Sequence, residues 1–154
     1  MNITSSDTDN KFVIFKLAGQ NYGIDIYNVR VIEKVTNYTR VPNSEDYVKG
    51  VINLRGEVVP VIDLVKRFGI ESENVDEAEV RIIIVSIKDI VVGLLVDSSS
   101  EVLTLVKGEI DNTPNIGEQI TEEFIKGIGK QDGRLIMLLD LEKVIGIHDD
   151  LEDM

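Results

Sequence analysis

A chain of 154 residues with 43% hydrophobic content suits one ordinary domain or two small ones, and it can pack a core, which excludes wholesale disorder. It has no cysteine, so disulfides, thiolate catalysis and Cys-ligated zinc are excluded. A net charge of −12 opposes nucleic acid or an anionic membrane over any broad face.

Residues 1–10 are rich in Ser, Asp, Asn and Thr and read as a flexible tail without the basic and apolar regions of a secretory signal. Residues 11–17 are β-branched and aromatic and read as a strand, turning at 18–21 into a returning strand at 22–26. Val29, Val31, Ile32 and Val35 give an extended or short helical stretch ended by Pro42. Residues 47–54 form an apolar strand with Gly50 inside it, and 55–57 form a tight turn. The strand at 58–64 carries Pro60, which lacks a donor and predicts an edge or a bulge there. Asp63 or a neighbour caps a short helix over 64–68, stopped by Gly69. Residues 71–79 are a polar, acidic linker. Strands follow at 80–87, 90–97 and 102–106, then a looser segment at 107–123. Strands at 125–128 and 134–139, a short helix over 141–147 and an acidic tail at 148–154 complete the chain. The longest apolar runs fall far short of the roughly 20 residues of a membrane helix.

The sequence also says the same thing twice. Lys49-Gly50, Gly56 and Asp63-Leu64 recur 77 positions later as Lys126-Gly127, Gly133 and Asp140-Leu141. Upstream, 12–17 and 22–26 answer 82–87 and 92–96 at an offset of 70, so a short indel separates the copies. Two copies predict two similar modules, at 11–70 and 80–147, not a solenoid. Short strands at this spacing point to small barrels of about five strands each. Modules of this size are near the lower limit for independent stability, so the two are expected to lean on each other. Gly50, Gly56, Gly127 and Gly133 are read as backbone requirements.

No catalytic constellation is visible. His148 is the single histidine and stands beside the acidic tail. Asp25 and Asp63 follow strands, and turn or cap hydrogen bonds explain them more simply than a carboxylate pair. Asp149, Asp150, Glu152 and Asp153 lack the spacing and glycine of a calcium loop. No cofactor or metal is expected. A binding module is the favoured reading, with a small acidic metal-dependent hydrolase as the alternative from another class.

Residues 22–26 and 48–64, with the run Asn53-Leu54-Arg55-Gly56 before Val59-Pro60-Val61-Ile62-Asp63-Leu64, resemble the CheW family of chemotaxis coupling proteins. The resemblance extends through 92–97 and 127–141. It implies an all-β fold of two packed SH3-like five-stranded barrels with short helices. It also implies a non-enzymatic adaptor joining methyl-accepting chemoreceptors to the CheA histidine kinase, or a coupling domain of a larger adaptor or kinase. The implied location is cytoplasmic, in receptor arrays at the inner face of the membrane, without membrane insertion. Receptor contact falls on Val29, Arg55 and Val102 in a groove between the barrels. Contact with the kinase regulatory domain falls on Tyr38 and Val48 and on Pro114, Asn115 and Ile116. Arg55 matches the family arginine; the strand position of its usual glutamate partner holds Val31, so either Glu33 substitutes or the ion pair is absent.

Overall fold

Two-residue turns set the hairpin registers. Ala18-Gly19, Arg55-Gly56, Lys88-Asp89 and Asp132-Gly133 all have positive φ at both residues, the geometry whose twist matches the flanking strands. The computed structural model describes residues 10–35, 37–71, 75–112 and 122–146. Its strands are β1 (Asn10–Leu17), β2 (Gln20–Asp25), β3 (Val29–Lys34), β4 (Val48–Leu54), β5 (Glu57–Asp63), β6 (Arg81–Ile87), β7 (Ile90–Val96), β8 (Ser98–Leu105), β9 (Ile110–Asp111), β10 (Ile125–Gln131) and β11 (Arg134–Leu139). Two one-turn helices, α1 (Leu64–Phe68) and α2 (Leu141–Ile145), follow β5 and β11. Asp63 caps α1, accepting from the amides of Val65 and Lys66, and Asp140 caps α2 through Lys143; left-handed Gly69 and Gly146 stop them.

The strands form two SH3-like units, a six-stranded sheet in the order β8-β1-β2-β11-β10-β9 and a five-stranded sheet in the order β3-β6-β7-β5-β4. The sixth strand is only the two-residue β9; its counterpart in the other unit is a single bridge, Thr39 to Val51. These sheets do not follow the expected modules at 11–70 and 80–147. The hairpin β1–β2 joins strands of the second half, and β6–β7 joins strands of the first. Short connections impose this exchange. Only Ile26–Asn28 separate β2 from β3, and only Asp97 separates β7 from β8, too few residues to travel round a barrel.

The exchange is symmetric to the residue. Val13 pairs with Val102 on β1–β8, and Ile83 with Ile32 on β6–β3, each shifted by the 70-residue offset. Parallel pairings close both units: Gly23 beside Leu138, and Gly93 beside Val61. A bulge precedes Gly50 on β4 and another precedes Gly127 on β10, so the two glycines occupy equivalent places. At Gly50 a side chain is excluded outright, because a Cβ would stand 2.7 Å from the Thr39 carbonyl oxygen at φ +154. Pro60 corrects a detail of the expectation: β5 is internal, between β4 and β7. Its parallel pairing with β7 spans only Val61 to Asp63, so Pro60 lies just before that ladder begins.

Alternation along β1 and β6 builds three cores. Phe12 and Ile14 point into the six-stranded unit with Leu105, Ile136 and Leu138. Ile82 and Ile84 point into the five-stranded unit with Ile52, Val59 and Val61. The intervening residues Val13, Phe15, Leu17, Ile83 and Val85 enter the largest core, which also takes Tyr22, Leu94, Phe68 and Phe124. That core lies between the two units. Each such buried side chain contributes roughly 1.5–3 kcal/mol, so neither unit is complete without the other.

Candidate functional site

The β4–β5 turn displays Arg55. Its backbone is left-handed, φ 54, and the Asn53 side-chain oxygen accepts from the Gly56 amide at 2.9 Å, which holds the turn. The turn borders a depression lined by Arg30, Val31, Leu54, Arg55 and Glu57. Arg30 pairs there with Glu57 at 3.7 Å. Among the described residues the Arg55 guanidinium has no ion-pair or hydrogen-bond partner, and neither has the Glu33 carboxylate. Of the two expected alternatives, the ion pair is the absent one. Glu33 shares a strand face with Val31 but lies about 7 Å further along β3, opposite Ile82, and does not line the depression.

The residues expected to form one groove with Arg55 are not gathered beside it. Val29 is half-buried, its side chain against the large inter-unit core. Val102 is 52% exposed on β8 of the other sheet and is not part of the depression. Outward-facing apolar residues that sequence reasoning did not single out are nearer the turn in the chain: Val58 is 66% exposed.

Tyr38 and Val48 do come together. They line a second depression with Arg40, Asp46, Lys49, Asp63 and Lys66. The Lys49 ammonium sits 5.9 Å from the Tyr38 ring centroid. Burial, and then the Asp63 charge, push the Tyr38 phenol above its ordinary pKa. Pro114, Asn115 and Ile116 lie outside the described residues, as do His148 and the acidic tail.

The carboxylates weighed for chemistry have structural work. Asp25 accepts from Lys126 Nζ at 2.6 Å, and Asp63 is spent on the α1 cap. Among the described residues no group of three or more His, Cys, Asp or Glu could hold a metal. No helix among them is long and apolar enough to cross a membrane.

One residue that sequence reasoning missed is Arg67. Its Nε donates to the Val144 carbonyl at 2.8 Å and its Nη2 to that of Lys143 at 3.2 Å. Its guanidinium stacks on Tyr47 and Phe124, 4.6 and 4.9 Å from their centroids. Tyr47 and Phe124 are themselves equivalent across the repeat, and their carbonyls accept from the equivalent amides of Asp63 and Asp140. The available signal was an arginine at a position where the second copy has Val144.

Fold and surface together define a double-barrel scaffold that offers depressions to partners. A family model described as a CheW-like domain matches residues 11–148. The chain is 41% identical over 138 residues to "Chemotaxis protein CheW" of Bacillus subtilis, covering 90% of this chain and 88% of that protein. It is 39% identical to the protein of the same name from Thermotoga maritima, covering 85% and 84%. The crystal structure of the scaffolding protein TtCheW from Thermoanaerobacter tengcongensis superposes with a TM-score of 0.82 at 37% identity, covering 90% of this chain and 94% of that one. The chain belongs to the CheW family, whose members are chemotaxis scaffolding and adaptor proteins and not enzymes.

Proposed function

We propose that the chain couples methyl-accepting chemoreceptors to the CheA histidine kinase in cytoplasmic arrays at the inner face of the membrane. The observation that carries this reading is the presence of two depressions that share no lining residue. One is the Arg55 depression, with an unpartnered guanidinium beside Val31 and Leu54. The other is the Tyr38–Val48 depression, built from different residues. A receptor's helical hairpin suits the first, because its backbone is satisfied internally and its side chains can meet a free fork of donors beside apolar wall residues. The kinase regulatory domain suits the second, together with the segment holding Pro114, Asn115 and Ile116. Val29 and Val102 then act at a distance from Arg55: Val29 by supporting β3 from the core, Val102 as a separate contact on β8.

Paired titrations test the reading. Arg55→Ala is expected to weaken a receptor cytoplasmic hairpin about tenfold, roughly 1.4 kcal/mol, while the kinase regulatory domain stays within about twofold. Equal losses for both partners, or none for either, would reduce Arg55 to a turn residue.

A further inference from the structure

We infer that the Tyr38–Val48 depression takes an acidic segment of its partner, rather than a purely apolar one. The inference rests on the reading that this surface faces the kinase regulatory domain, and it adds the chemistry of what seats there. Arg40, Lys49 and Lys66 come from three elements, the strand-linking loop, β4 and α1, and converge on the one depression. All three are exposed, and among the described residues none is in an ion pair. Two carboxylates share the lining, Asp46 and Asp63, and the Asp63 carboxylate is already committed to the α1 amides.

In this lining three exposed cations stand against one uncommitted carboxylate, Asp46, on a chain of net charge −12. Complementary charge steers encounter and rejects wrong faces more than it adds affinity. An acidic segment is repelled by most of this surface and accepted at this depression, so the patch fixes where and in which orientation the partner lands. Tyr38 and Val48 add apolar surface to the lining, and Val41 and Pro42 line the adjoining hollow with Arg40, Lys49 and Lys66, alongside Glu45 and Asp46. A protein segment fits better than a bare small anion, since only a chain can cover the apolar and charged parts of the lining together.

The test titrates the kinase regulatory domain into the full chain carrying Arg40→Glu, Lys49→Glu or Lys66→Glu, at ~50 mM and ~500 mM salt, where screening differs about threefold in range. Each reversal is expected to weaken binding at least tenfold at low salt and less than threefold at high salt, with Lys49→Arg close to the parent and thermal midpoints unchanged. Val48→Asp separates the two ideas. If it abolishes binding while the reversals act within twofold at both salts, the kinase surface stands and the acidic segment is wrong. If neither kind of variant changes binding, both readings fall. Inorganic phosphate at millimolar concentration that displaces the domain from the parent chain, but not from Lys66→Glu, would overturn the protein segment in favour of a small-anion site.

Discussion

The turn that carries Arg55 and its counterpart in the six-stranded sheet share a backbone and differ in chemistry. Arg55 and Gly56 have φ 54 and 87; Asp132 and Gly133 have φ 53 and 80. Beyond the turns, outward-facing Val58 and Leu135 are both exposed, 66% and 58%. The charges, however, are reversed. In the first copy an arginine tips the turn, and the next strand opens with Glu57, loosely paired with Arg30 at 3.7 Å. In the second, an aspartate tips the turn, and Arg134 clasps Glu101 through two hydrogen bonds, 2.6 and 3.4 Å. What the copies share is what the backbone demands: left-handed turns, bulge glycines, aspartate caps and inward alternation. What they do not share is either put to other structural work, as with Arg67 and Arg134, or left without an intramolecular partner among the described residues, as with Arg55.

Breaking a shared feature should have the largest effect. Gly50→Ala places a Cβ 2.7 Å from a backbone oxygen at φ +154, whereas the Cβ of Gly127→Ala meets the Asn112 side chain and the Asp111 carbonyl at 3.2 Å without positive φ. Gly50→Ala is expected to lose about 3 kcal/mol or more and Gly127→Ala about 1, read from urea midpoints. Equal losses would show that the two bulges are under the same strain.

Arg67→Met comes next. It removes two charge-assisted hydrogen bonds and two ring contacts in a part-buried site. A loss of about 2 kcal/mol is expected, with faster amide exchange at the Phe124 turn. Loss confined to the α1 side would mean that Arg67 does not hold the two copies together.

Giving the first turn the tip residue of the second tests the asymmetry itself, with a neutral change at the second tip as the control. Arg55→Asp should fold within about 0.5 kcal/mol of the parent, since aspartate tolerates the left-handed turn, and should lose receptor-hairpin binding. Asp132→Asn should change neither quantity.

The smallest effect belongs to Arg134→Gln, about 0–1 kcal/mol, because both partners are more than a third exposed and water screens the pair. The Arg134 hydrogen bond holds the Glu101 carboxyl below its ordinary value of 4.5. A carboxyl lowered on folding contributes stability above that ordinary value and loses it as pH falls through the lowered one. The gap between parent and variant should therefore be present at neutral pH and close in acid below 4.5. A gap that persisted there would point to lost packing of the arginine stem instead.

Much of the fold could be read from repetition. The constant spacing of Lys49-Gly50 and Lys126-Gly127 marked equivalent places in the two copies, Asp63 marked the first cap, and Gly56 and Gly133 marked two of the turns. The exchange of hairpins was not legible, because equivalent strands present equivalent edges. A repeat says which strands are alike, not which copy each one pairs with. The deciding information lies in connection length, and the jump from Val96 to Ser98 across Asp97 is visible only once both strands are delimited. Of the candidate residues, Tyr38 and Val48 line one depression because the β3–β4 connection, bridged to β4 at Thr39 and Val51, returns Tyr38 to the start of β4. Val102 did not join Arg55, since they belong to different sheets. Glu33 failed as a partner for a simpler reason, the rise per residue along a strand.

The exchanged hairpins also impose an order on the making of the molecule. Asn10 is among the first described residues and pairs with Leu105, and Tyr22 waits for Met137. As the chain leaves the ribosome, β1 and β2 emerge with Val13, Phe15 and Leu17 on a face that the opposite half must cover. The five-stranded unit has all its strands once β7 is made, whereas the six-stranded unit, which takes β1 and β2 from the start of the chain, cannot close until β11 has been synthesised. Pairings of such long sequence separation fold slowly and leave apolar strands open meanwhile. Two proteins made by dividing the gene at the repeat boundary would be partners that must find each other, not two small independent barrels.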